Sequence, residues 1–308
     1  MGESRVANLV IVGVPKAATS SLFAYLAQHP DICGSDEKEL GYFNHYSPWR
    51  STGPVPPIEE YARHWAHASG ERYLMEATPT YCYAGKEVIS AIREVLGRPR
   101  IVLILRDPAD RLWSAYTFQR SVGNNPEIRS FEQYLDVLEQ RRREGVGLVA
   151  KNGLHGLEIG MYSSYLGDWL EEFGDDMRVV FQEHLRRDPH GVLQDLCRWL
   201  DVDTDAVSAI ETGARNVTRH PRSPRLASAA RRLKQRGERL GILPTSAYAK
   251  LRRAYFRVNS GELAERFSPE SRRRVEEIYR RSNAETAQIL AAHGYDDLPA
   301  WLRVESAV

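Results

Sequence analysis

The sequence predicts an α/β fold: one domain with a central parallel sheet of about five strands, helices on both faces and a helical carboxy-terminal region. Three observations carry this expectation. Apolar, β-branched runs at residues 8–14, 100–105 and 178–181 read as strands buried on both faces. Helical patterns at residues 19–28, 109–122 and 188–200 alternate with those runs, as crossover connections in a parallel sheet require. Hydrophobic residues make up 42% of the chain and charged ones 27%, enough to build a sizeable core over 308 residues.

Taken in order, the first run reads NLVIVGV and breaks at Gly13-Val14-Pro15. The helix behind it carries Leu22, Phe23, Tyr25 and Leu26 at amphipathic spacing until His29-Pro30 closes it. Residues 53–57 are proline-rich and read as a loop, or as a hinge between two lobes. The second run, RIVLIL, passes through Arg106-Asp107-Pro108, where the proline suits the first turn of the next helix. An amphipathic stretch at residues 162–173 precedes the third run. Residues 223–258 are basic and helical in pattern, interrupted at 241–244. A long charged helix is expected over 268–293, with Ser268 as N-cap and Pro269 in its first turn. The expected organisation is a single domain over 1–308, with its core at about 8–222 and the helical region at about 223–308.

The formal charge of +1 hides 42 basic and 41 acidic side chains, so no long-range field recruits nucleic acid or an anionic membrane. Arginine runs at 141–143, 231–232 and 272–274 read as solvated helix faces. Cys33, Cys82 and Cys197 show no CxxC spacing and are odd in number, which suggests neither a disulfide framework nor a zinc site and fits a reducing compartment. The apolar run at residues 9–14 is too brief for a signal segment or a membrane span. The expectation is a cytoplasmic protein without an anchor.

The segment Gly13-Val14-Pro15-Lys16-Ala17-Ala18-Thr19-Ser20-Ser21 lies between a buried strand and a helix. Small residues let the backbone curl toward a ligand, the helix start offers N–H donors and a positive dipole end, and three hydroxyls add further donors. Lys16 brings a mobile positive charge to this anion cradle. The arrangement is P-loop-like, yet it is not the nucleotide triphosphatase loop, in which the lysine follows a second glycine. The plain alternative is a helix capped by Thr19 beside a solvated lysine.

This segment resembles the 5′-phosphosulfate loop, P-K-x-G-T-[ST], of sulfotransferases that use 3′-phosphoadenosine 5′-phosphosulfate (PAPS). Ala18 stands where that pattern has glycine, and a methyl group there crowds the backbone against the ligand. A second block, from Arg106 to Tyr116, resembles the family's 3′-phosphate signature, an arginine at a strand end and a serine, Ser114, eight residues on. A guanidinium beside a hydroxyl suits a phosphate through charge-assisted hydrogen bonds. The resemblance implies a sulfuryl donor site built from Pro15, Lys16, Ala17, Ala18, Thr19, Ser20 and Ser21, with Arg106 and Ser114 on the 3′-phosphate. It implies PAPS as donor, adenosine 3′,5′-bisphosphate (PAP) as product and no required metal.

Lys38-Glu39-Leu40-Gly41-Tyr42-Phe43 is similar to the K-E-x-x-[FY]-F block of the carbohydrate sulfotransferase branch. That resemblance implies Glu39 as general base; His45 is the alternative base. Residues 75–81 resemble the E-[KA]-[ST]-P-x-Y segment, which implies Glu76 and Tyr81 as acceptor contacts. Ala77 replaces the lysine usual in glycosaminoglycan enzymes, which argues against a densely sulfated acceptor. Arg219 and Arg222 lie in a basic stretch expected to close over the nucleotide. The implied reaction is direct in-line transfer from PAPS to a hydroxyl or amine of a small-molecule or carbohydrate acceptor, with a natural product favoured. The resemblance also allows a homodimer. An ATP- and magnesium-dependent P-loop-type kinase and a non-catalytic nucleotide-binding protein stand as alternatives.

Overall fold

A computed structural model describes residues 5–50, 53–146, 153–213, 220–221, 260–261 and 265–303, with backbone alone at 220–221 and 260–261. The chain divides into two compact units. The first comprises Met1–Arg111, Ile159–Asn216 and Ile278–Val308, and the second Leu112–Glu158 and Val217–Glu277.

The first unit is built on five parallel strands: β1 (Leu9–Gly13), β2 (Ile32–Gly34), β3 (Tyr73–Ala77), β4 (Arg100–Leu105) and β5 (Met177–Phe181). Their order is β2-β3-β1-β4-β5. All five residues of β1 and of β3 are buried, as the apolar run of β1 demands, whereas β3 buries the carboxylate of Glu76 as well. The chain leaves β1 toward one side of the sheet, returns beside it as β3, and then crosses to β4 on the other flank. That reversal places a crevice outside the carboxyl ends of β1 and β4, where open α/β sheets bind ligands.

Helices follow the strands at residues the sequence marks. α1 (Thr19–Leu26) comes after β1; α2 (Ile58–Ala62) and α3 (Lys86–Leu96) flank β3 in the chain. α4 (Pro108–Ser121) starts at the expected Asp107-Pro108. Asp107 Oδ1 accepts the Ala109 N–H at 2.8 Å, a side-chain N-cap followed by proline at the first helical position. After α5 (Phe131–Arg143), α6 (Gly156–Ile159), α7 (Leu166–Phe173) and α8 (Gln182–Arg187), α9 (Pro189–Leu200) is capped by Asp188, whose side chain accepts from Gly191 N. The long helix Pro269–Ala292 starts as predicted, with Ser268 Oγ accepting the Ser271 N–H at 3.0 Å.

The second unit packs Trp113 flat on Phe267, ring centroids 5.3 Å apart, with Phe131 edge-on to both. Tyr116 donates to Glu265 at 2.5 Å, and Arg274 bridges Asp136 and Glu139. Its described backbone also includes a two-residue antiparallel pair, β6 (His220–Pro221) with β7 (Ser260–Gly261). The helical pattern expected over 223–258 and the runs at 231–232 lie outside the described residues. Among the described residues no helix is long and apolar enough to cross a membrane. All three cysteines are buried as free thiols.

Candidate active site

The crevice is lined first by the loop after β1. Gly13 ends the strand against Cys82, and a Cβ there would stand 2.5 Å from the Cys82 sulfur, so the sheet floor leaves room only for glycine. Val14 N–H then donates to Ile104 O of β4 at 2.8 Å. Lys16 and Ala18 both adopt left-handed backbone angles, φ 73° and 67°, and turn the chain into α1. Ala18 occupies the N-cap position with no side-chain cap, so the helix start keeps donors for an outside acceptor. The structure adds a second reason for the glycine preference: Ala18 has a positive φ, which a β-carbon opposes.

Thr19 and Ser21 are buried and Ser20 is half-buried, all three in the first turn of α1. Thr19 is the first helical residue, one position after the cap expected of it. Pro15 is half-buried and Ala17 fully buried. The Ala17 N–H closes onto Val14 O at 3.2 Å.

Arg106 follows β4 and reaches back to this loop: its Nη1 donates to Lys16 O at 2.9 Å. Its own carbonyl accepts the Tyr162 hydroxyl at 2.7 Å, and the next amide, Asp107 N–H, donates to Glu183 at 2.8 Å. Those bonds fix the guanidinium's base on both sides. Arg106 Nε is buried with no hydrogen-bond partner among the described residues, a donor left for an anion to satisfy. Burial drives the Lys16 ammonium down to about 8, and Arg106 beside it adds to that; Glu39 opposes it and Arg111 contributes a smaller push downward. Lys16, Arg106, Arg111 and Glu39 therefore share one electrostatic environment.

Glu39 lies on the loop after β2. Its backbone is also left-handed, φ 71°, its N–H donates to Ala77 O at 3.1 Å, and its exposed carboxylate accepts Lys38 Nζ at 3.0 Å. His45 sits on a short 3-10 turn, Tyr42–Tyr46. Its Nδ1 lies 3.2 Å from Gly53 O and donates to that carbonyl. Of the two candidate bases, Glu39 is the one that acts on Lys16.

Glu76 and Tyr81 require a correction. Both are fully buried, and the Tyr81 hydroxyl donates to Glu76 Oε1 at 2.7 Å, so neither presents a polar atom to an acceptor. Thr78 donates to the same oxygen at 2.7 Å, and Tyr61 donates to Oε2. Burial pushes the Glu76 carboxyl up while these hydroxyls hold it down. They form a support beneath the Glu39 loop.

Residues 7–287 match the family model described as the sulfotransferase domain. The chain belongs to the sulfotransferase family. Over 203 residues it is 27% identical to mouse (Mus musculus) heparan sulfate glucosamine 3-O-sulfotransferase 3B1, covering 63% of this chain and 45% of that protein. Over 206 residues it is 26% identical to human (Homo sapiens) bifunctional heparan sulfate N-deacetylase/N-sulfotransferase 3, covering 64% of this chain and 22% of that one. The chain thus spans less than half the length of these curated relatives. A crystal structure of a sulfotransferase from Alicyclobacillus acidocaldarius covers 97% of this chain and 100% of its own, at a TM-score of 0.68 and 23% identity, a likeness of fold.

Within this sulfotransferase fold, Ser114 falls on α4, half-buried, in the second unit. Arg219 and Arg222 lie outside the described residues. Sequence reasoning missed Arg111, which is fully buried and acts on Lys16, and Tyr162, which anchors Arg106. Arg111 lies five residues beyond Arg106 in the same block, and that placement was the signal available. Among the described residues no group of three or more His, Cys, Asp or Glu side chains gathers as a metal site.

Proposed function

We propose that this chain is a PAPS-dependent sulfotransferase that transfers a sulfuryl group to a hydroxyl or amine of a small-molecule or carbohydrate acceptor, a natural product being the favoured class. One observation carries most weight: Arg106, from the loop after β4, donates to the backbone of Lys16, in the loop after β1, and the Glu39 charge raises the proton affinity of the same lysine. This supports reading Lys16 and Arg106 as an anion-binding pair and Glu39 as the base, near the switch point of the sheet. The uncapped start of α1, the half-desolvated Lys16 and the unsatisfied Arg106 Nε fit a donor carrying phosphate at both ends.

When bound, PAPS supplies the sulfuryl group, and PAP is the leaving group, through its 5′-phosphate oxygen. Thr19, Ser20 and Ser21, with the first N–H groups of α1, hold the 5′ end; Pro15, Ala17 and Ala18 shape the turn that lets the backbone come close. Arg106 holds the 3′-phosphate, joined by Ser114 and by Arg219 and Arg222 in this reading. Lys16 places its positive charge where the departing oxygen gains negative charge. Glu39 takes the acceptor's proton, with His45 as the alternative base. Transfer is direct and in line, and the reading assigns no metal. The residues from 1 to 308 act in it as one sulfotransferase domain, and a homodimer and a cytoplasmic setting remain parts of the proposal.

Calorimetric titration with PAP tests the donor site. Binding that weakens about 100-fold in Arg106→Ala, and about 100-fold for 5′-AMP against the unaltered chain, is the expected result for a site built around the 3′-phosphate. Equal affinity for PAP and 5′-AMP would exclude the reading.

A further inference from the structure

Glu76 occupies an unusual place for a carboxylate, toward the carboxyl end of a buried strand beside the central strand of the sheet. It is fully buried on β3, and three hydroxyls converge on it, from Tyr61, Thr78 and Tyr81. Two of these hydroxyls have their directions fixed by what lies beyond them. The Gly41 N–H donates to Thr78 Oγ1 at 3.1 Å, and the Phe43 N–H donates to the Tyr81 hydroxyl oxygen at 3.2 Å. A backbone N–H can only donate, so both hydroxyl oxygens accept there and turn their own protons toward Glu76.

Two relays therefore run from one carboxylate to the loop that carries Glu39: Glu76 to Thr78 to Gly41, and Glu76 to Tyr81 to Phe43. A third tie joins the same pieces directly, since the Glu39 N–H donates to Ala77 O, next to Glu76 on β3. The loop needs this restraint, because Glu39, a residue with a β-carbon, is held at φ 71°. Tyr61 differs from the other two hydroxyls. It comes from α2 and, among the bonds described, donates to Glu76 without accepting from the loop.

We infer that Glu76 is the positioning residue of the acceptor side, holding Glu39 in place through the Thr78 and Tyr81 hydroxyls. A carboxylate is suited to the task because it accepts at every lone pair, so both relays keep one polarity. An amide would present N–H groups to a hydroxyl that is already donating and would reverse or break one relay. That Glu39 is the base rests on the functional reading above; the relay geometry does not.

Amide hydrogen exchange on the full-length chain tests this, comparing the unaltered protein with Glu76→Gln, Thr78→Val, Tyr81→Phe and Tyr61→Phe. The expected result is that exchange at Gly41 and Phe43 speeds up by at least about tenfold in Glu76→Gln. Thr78→Val should free Gly41 alone, Tyr81→Phe should free Phe43 alone, and Tyr61→Phe should leave both near the unaltered rate. Amides of β1 and β4 serve as the reference for general loosening. PAP affinity should stay within about twofold throughout, while turnover of PAPS falls at least about tenfold in Glu76→Gln and stays within about twofold in Tyr61→Phe. Should Glu76→Gln fail to fold, the Thr78 and Tyr81 variants decide the matter by their separate signatures. Unchanged exchange at Gly41 and Phe43, or loosening as large in Tyr61→Phe as in the relay variants, overturns the inference. Failure of the unaltered chain to bind PAP would sink the donor-site reading alone and leave the exchange result standing.

Discussion

The two loops that face each other across the crevice are held in different ways. The donor-side loop, from Gly13 into α1, is held at its backbone: Val14 N–H bonds to β4, Ala17 N–H closes onto Val14, and the carbonyl of Lys16 accepts from one side chain, that of Arg106. The acceptor-side loop around Glu39 is held largely by side chains from elsewhere, Thr78 and Tyr81 under the control of Glu76. Backbone restraint tolerates substitution of its neighbours, whereas a side-chain relay can fail at a residue that never meets a ligand. The donor loop should therefore respond to changes in charge, and the base loop to changes in hydrogen-bond polarity.

The largest separation of the two comes from Glu39→Gln. Removing a general base costs about 100- to 10,000-fold in turnover, whereas PAP affinity should change far less, the one effect on the donor side being the loss of the negative charge that supports the Lys16 ammonium. Parallel measurement of PAPS turnover and PAP titration checks this, and a matching loss in both would merge the two sides into one site.

A smaller effect sharpens the donor side. Lys16, brought down to about 8, is charged below that pH and neutral above it, and an anion favours the charged form. PAP affinity should thus hold steady below about pH 7 and fall by up to about tenfold by pH 9, with proton uptake on binding near pH 8. Titrations in buffers of different ionisation enthalpy read the uptake, and Lys16→Ala should abolish it at a lower overall affinity.

The smallest change concerns the backbone. Ala18→Gly relieves a left-handed angle worth about 1 kcal/mol, and thermal unfolding should rise by about 2 °C, with PAP affinity equal to or better than that of the unaltered chain. A lower unfolding temperature would show that the turn is not strained at this residue.

The donor side was legible because its parts are contiguous: strand, loop and helix are spelled out in order, and the residues of β4 coincide with the apolar run that announces them. The acceptor side was legible only in outline. β2 has three residues, too few to show a period, and β3 carries Glu76, which makes a buried strand look like a polar segment. The burial of Glu76 and Tyr81 was not legible: Thr78 and Tyr81 lie close to Glu76 in the sequence, but Tyr61 and Phe43, which complete the network, are brought near only by folding. Arg111 reads as one more helix charge, and nothing local says that it is fully enclosed. The arginine runs at 141–143 and 272–274 do fall on helices, as their pattern suggests.

The strand order has a consequence for how the molecule comes into being. Leu9 lies beside Met75 on one side and Arg100 on the other, so the central strand finds no partner near it in the chain. The ties of the donor-side loop are incomplete until the chain through Arg106 is available, and the outer flank waits for Phe181. A parallel sheet wired in this way collapses late and slowly, with an unpaired apolar strand exposed in the meantime. During synthesis the segment that later cradles the donor is the one most in need of shielding, and expression yield should depend on chaperone supply more than on the stability of the finished fold.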